Sequence, residues 1–147
     1  MKRILAAPLF ALLLLPMASI ADDQDVIDYR RHIMETLKAQ TAALGMIMSG
    51  AIPDDNVVAH IDIIAGTAAT ALKAFEPKVE GGDAKPEVWA KWDDFSARMN
   101  EFAGKTAAMA KTAHEKGKDE ALLQAVDALT CKQCHDDYRV KKPAAEK

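Results

Sequence analysis

Cys131, Lys132, Gln133, Cys134 and His135 stand in a row near the end of this 147-residue chain, and its two cysteines are both in that pentapeptide. Two thiols three residues apart, followed at once by an imidazole, form the C-x-x-C-H pattern of covalent c-type haem attachment. The thiols reach the two vinyl groups of one porphyrin, and the histidine binds the iron axially. A dithiol redox pair and half of a zinc site are the competing readings. The first belongs in a strand–helix setting that this sequence lacks. Zinc needs a fourth ligand, and the pentapeptide supplies three.

The start of the chain bears on the same chemistry. Lys2 and Arg3 precede an apolar run from Ile4 to Leu15, and Ser19 and Ala21 are the small residues a signal peptidase reads. The run is too short to span a bilayer comfortably, so residues 1–21 read as a secretory signal peptide and residues 22–147 as one domain. Export to the periplasm fits covalent haem attachment, which takes place outside the bacterial cytoplasmic membrane. Residues 22–147 hold 17 basic and 22 acidic side chains, a net charge of −5. That balance argues against nucleic acid as a partner. It also provides no polybasic patch for a membrane surface, so no membrane association is expected after signal cleavage.

The elements that must position the pentapeptide are helical. Apolar residues recur at three and four, not at two. Helix A is expected from about Asp25 to Ser49, with a seam of Ile27, Arg30, Met34, Leu37, Thr41, Leu44 and Met48, stopped by Gly50. Helix B opens at Pro53 and Asp54, carries Val57, Ile61, Ile64, Ala68, Leu72 and Phe75, and ends before Pro77. A loop runs to about Lys85. Helix C starts at Pro86 and carries Val88, Trp92, Phe95, Met99, Phe102, Thr106, Met109 and Ala113. Gly104 within it is expected at a close helix or haem contact, and Gly117 ends it. Helix D begins near Asp119, carries Leu122, Val126 and Leu129, then the pentapeptide, and stops at Pro143. The fold class is all-α: an antiparallel up-down-up-down four-helix bundle with haem bound near the C-terminal helix.

Three groups of residues give the chain a family likeness. They are Tyr29-Arg30 with Met34, Pro86 with Trp89, and Cys131-Lys-Gln-Cys134-His135 followed by Tyr138-Arg139. This pattern resembles the class II c-type cytochromes, cytochrome c-prime and its low-spin cytochrome c-556 relatives. The placement of C-x-x-C-H at the C-terminal end is the most specific part, because ordinary small cytochromes c carry it near the N-terminus. The resemblance implies a periplasmic haem protein, often a homodimer through helices A and B.

Roles follow for single residues. Cys131 and Cys134 are the thioether sites for one haem c, and His135 is the proximal iron ligand. Arg30 is a permanent cation in an apolar seam and needs a partner; a haem propionate would supply one, with Arg31 as its neighbour. Arg139, one turn beyond His135, could shield the haem edge. The resemblance puts helix A across the distal haem face, and Met34 is then expected as the sixth ligand. Trp89 and Trp92 are expected to pack in the bundle or against the loop before helix C.

The function expected first is electron transfer between redox partner proteins, with iron held by His135 and Met34. The alternative is a five-coordinate iron that binds nitric oxide or carbon monoxide on the distal face, with Met34 as a steric gate. No nucleophile or acid–base pair stands out, so no enzymatic activity is expected.

Overall fold

The computed structural model describes residues 22–141; the expected signal peptide at 1–21 and the tail from Pro143 lie outside the described residues. Helix α1 spans Asp23–Met48. The Asp22 carboxylate accepts from the Asp25 amide, and the Asp25 side chain reaches back to the Asp22 amide, so two amides at the helix start are satisfied reciprocally. Its end is equally defined. Gly50, at φ 74°, donates to the Ile47 carbonyl and Ala51 to the Met46 carbonyl, the paired bonds of a Schellman turn.

Helix α2 spans Val57–Ala71 and tightens into a 3-10 turn over Leu72–Phe75. It starts later than Pro53 and Asp54 suggest, because residues 49–56 form turns and the first closing bond runs from the Val57 amide to the Asp54 carbonyl. By length and composition Val57–Phe75 could cross a membrane. Here Val57, Ile61, Ile64, Ala68 and Ala71 are buried, and α2 packs between α1 and a fourth helix.

That helix, α4, spans Trp92–Lys116 and follows a single turn, α3, at Glu87–Ala90. The break between them falls at Lys91, whose φ of −123° leaves the helical region. The seam expected for helix C holds well: Val88, Phe95, Met99, Thr106, Met109 and Ala113 are buried. Gly117, at φ 95°, ends α4. Gly104 does not mark a close approach, since a Cβ added there would meet nothing within 4 Å.

The fourth arm is not the single helix expected. It is α5 (Lys118–Leu122), α6 (Ala125–Ala128) and α7 (Cys131–Tyr138). Leu129 and Thr130 leave helical geometry, with ψ of 41° and 51°. The buried face here is Ala121, Ala125 and Ala128, small enough to lie close on α4, whereas Leu123 and Val126 are 76% and 79% exposed. Lys105 of α4 pairs with Asp127 at 3.2 Å, and Lys118 pairs with Asp54 at 2.6 Å. The result is an all-α antiparallel bundle with its fourth arm segmented. Among the described residues, extended pairing is confined to bridges of Ala84 with Gly81 and Arg139.

Candidate functional site

Helix α7 carries the pentapeptide at its very start. Cys131 is its first residue, Cys134 its fourth and His135 its fifth. Positions i, i+3 and i+4 share one helix face. Both thiols and the imidazole therefore project from the same side of one turn. Cys131 is exposed and Cys134 half-buried against the core, and both are free thiols. Partial desolvation of the sulfurs pushes both thiols up from their ordinary range, although the Cys131 residue as a whole stays exposed. Burial, then the Arg139 charge, holds the His135 imidazole below its ordinary value, with Asp136 opposing. At neutral pH the ring is thus in its neutral form, the form that ligates metals.

α7 is tied to α4 by a polar and aromatic cluster. The Arg98 guanidinium bonds Asp94 at 2.9 Å and Asp137 at 2.8 Å. The Tyr138 hydroxyl donates to Asp94. The Tyr138 ring meets Phe95 edge-on at 5.2 Å between centroids. Burial and the Asp94 hydrogen bond push the Tyr138 hydroxyl up to about 12. Beside it lies a polar cleft of about 470 Å³, lined by Lys85, Lys91, Asp94, Arg98, Asp136 and Asp137 among others. The sequence reading missed Lys85, Asp94 and Arg98. The i, i+4 spacing of Asp94 and Arg98 was a visible signal for their pairing, but nothing in it pointed to α7.

Arg30 is 4% exposed. Its guanidinium donates to the Val79 carbonyl at 2.7 Å and the Gly81 carbonyl at 3.4 Å, between the rings of Phe75 and Trp89. Arg31 pairs with Asp28 at 2.7 Å on its own helix. Trp89 packs where expected, and its indole N–H donates to the Phe75 carbonyl at 3.1 Å. The buried seam of α1 is Arg30, Ile33, Leu37, Leu44 and Ile47. Met34 lies one step off it, half-buried at the margin of the core, and Met48 is exposed.

A family model described as Cytochrome C' matches residues 25–139. The chain belongs to the cytochrome c' family. A cytochrome c' from Cereibacter sphaeroides is 30% identical over 151 residues, covering 97% of this chain and all of that one. A cytochrome c-556 from Agrobacterium fabrum is 29% identical, covering 97% of each chain. Among solved structures, a ferrous variant of cytochrome c prime from Alcaligenes xylosoxidans with bound NO superposes with a TM-score of 0.75 at 26% identity, over 84% of this chain and 99% of that one. A carbon monoxide-bound variant of the same protein superposes with a TM-score of 0.74 at 27% identity, over 82% and 98% of the two chains.

These relatives correct the first functional expectation. Iron that takes up nitric oxide or carbon monoxide uses a coordination position for the gas. A permanent protein ligand such as Met34 would occupy that position. The six-coordinate electron carrier with His135 and Met34 as axial ligands is therefore set aside in favour of the gas-binding alternative. A cytochrome c' is a haem carrier, and this chain is not an enzyme.

The donor set fits haem c. Two free thiols and an imidazole without a hydrogen-bond partner among the described residues share one face of α7, in the order and spacing that covalent attachment requires.

Proposed function

We propose that the chain is a periplasmic cytochrome c' that carries one haem c and binds a small diatomic gas at its iron. Cys131 and Cys134 hold the porphyrin through thioethers, and His135 is the single protein ligand. The haem supplies redox-active iron with one face for an exogenous ligand. This chain's residues do the rest. His135 presents a neutral ring nitrogen. Arg98, Tyr138 and Phe95 fix the helix that carries His135 and both cysteines. The periplasmic location is supported by the signal-like residues 1–21.

The observation that carries this reading is the shared face of Cys131, Cys134 and His135 on α7, in a chain whose solved relatives include gas complexes. The test is the visible spectrum of the protein purified from periplasm. A ferric high-spin spectrum and carbon monoxide uptake by the ferrous form are expected. A low-spin spectrum indifferent to carbon monoxide would overturn gas binding. Haem that dissociates on denaturation would overturn covalent attachment, and Cys131→Ser with Cys134→Ser should produce that loss.

A further inference from the structure

The last four carbonyls of a helix have no partner within it. In α7 these belong to His135, Asp136, Asp137 and Tyr138. The His135 carbonyl accepts from the Arg139 amide at 3.1 Å. The other three all go to one residue. The Lys85 ammonium donates to the Asp136 carbonyl at 2.9 Å and to the Asp137 carbonyl at 3.1 Å. The Lys85 amide donates to the Tyr138 carbonyl at 3.0 Å. Lys85 lies more than fifty residues away in the chain, at the end of the loop before α3. It caps α7 in trans.

The cap adds to the ties that α7 makes to α4 through Arg98 and Tyr138, because α7 alone is short. It has eight residues, no side-chain bond at its N-terminal cap and no acidic residue in its first turn. A helix this short is not stable alone. The cation also lies at the negative end of the helix dipole. The neighbours of Lys85 continue the join: Asp83 accepts from the Val140 amide at 2.9 Å, and Ala84 bridges Arg139. The same loop is gripped on its other side by Arg30 of α1, through Val79 and Gly81.

We propose that Lys85 is a positioning residue for His135: its ammonium fixes the C-terminal turn of α7 and thereby the orientation of the imidazole toward iron. The proposal rests on the haem-binding reading of His135.

The experiment uses the holoprotein with Lys85→Met and Lys85→Arg. Met keeps the backbone bond to Tyr138 and removes only the ammonium. Two readouts are taken: hydrogen exchange of the peptide covering residues 131–140, and the iron–histidine stretching band of the ferrous form by resonance Raman. With Lys85→Met, exchange should rise on the order of tenfold, and the band should shift or split. Lys85→Arg should restore both. Faster exchange with an unchanged band would overturn the positioning role, because the cap would then be structural only. No change in either readout would overturn the cap as well. Should Lys85→Met lose its native far-ultraviolet spectrum, Lys85→Gln, a shorter neutral donor, decides on the same two readouts. Failure of the haem reading looks different: the unaltered protein would carry no covalent haem.

Discussion

The guanidinium carbon of Arg30 lies 5.1 Å from the centroid of the Trp89 ring, and the Phe75 ring faces the same carbon at 5.5 Å. Burial pulls the Arg30 pKa down from its ordinary value, yet not to a range where an arginine loses its proton. A buried cation needs partners, and these two rings with the Val79 and Gly81 carbonyls provide them. One side chain thus joins α1, the end of α2, the loop and α3.

Arg30→Met should therefore destabilise the fold by about 2–4 kcal/mol, because it leaves two carbonyls without their donor and removes two cation–π contacts. Lys should recover less than half, since a point ammonium cannot both stack between rings and reach two acceptors. Urea denaturation of the three proteins measures this. A loss below about 1 kcal/mol for Arg30→Met would show that the carbonyls find other donors.

The Tyr138 hydroxyl predicts a pH dependence. Its folded pKa is raised to about 12, above the ordinary tyrosine value of 10.0. The folded state then keeps a proton that the unfolded state releases. The stabilisation is complete below the ordinary value and is lost as pH rises toward the folded one. Tyr138→Phe should cost about 1 kcal/mol at neutral pH through the lost bond to Asp94. It should also flatten the fall in stability between pH 10 and 12. Lysines that titrate in that window are common to both proteins, so the difference between the two curves isolates Tyr138. Parallel curves would remove Tyr138 as the titrating group.

Met34→Ala tests the corrected axial set. With His135 as the single protein ligand, the substitution should leave the ferric spin state unchanged and alter only the rate at which carbon monoxide enters. Conversion of a low-spin spectrum to a high-spin one would restore Met34 as a ligand.

Much of the fold was legible in residue order. Helix C repeats apolar residues cleanly, and every seam position from Val88 to Ala113 is buried or half-buried. Gly50 and Gly117 end helices because both take positive φ. Two features were not legible. In α1 the seam through Met34 and Met48 and the seam through Ile33 and Ile47 are equally apolar, and only packing against α2 chooses the second. In the fourth arm, Leu122 and Leu129 pack half-buried against the core as expected, but Val126 is exposed, and close approach to α4 favours Ala121, Ala125 and Ala128 as the fully buried face. The site divides in the same way. Cys131, Cys134 and His135 form a local pattern that spacing alone reveals. The Lys85 cap and the Arg98 bridge join residues about forty to fifty positions apart, so no periodicity encodes them.

Gly82 and Gly104 make opposite predictions under the same substitution. Gly82 has φ 64°, a backbone conformation unfavourable for alanine, and a Cβ there would meet Ile27 Cγ2 at 2.8 Å. It lies in the loop that Arg30 grips and that ends at Lys85. Gly82→Ala should cost about 1–3 kcal/mol through backbone strain and displacement of Ile27. Because the loop also caps α7, the substitution should speed amide exchange in residues 131–140, far from position 82 in sequence. Gly104 has helical geometry and open space around the added methyl. Gly104→Ala should raise stability by about 1 kcal/mol, since alanine has the higher helix propensity. Paired thermal melts of the two variants check both signs. A stabilised Gly82→Ala would mean that the loop is not held against α1 as described. A destabilised Gly104→Ala would mean that a group packs over that position in the holoprotein, which would place the haem face against the middle of α4.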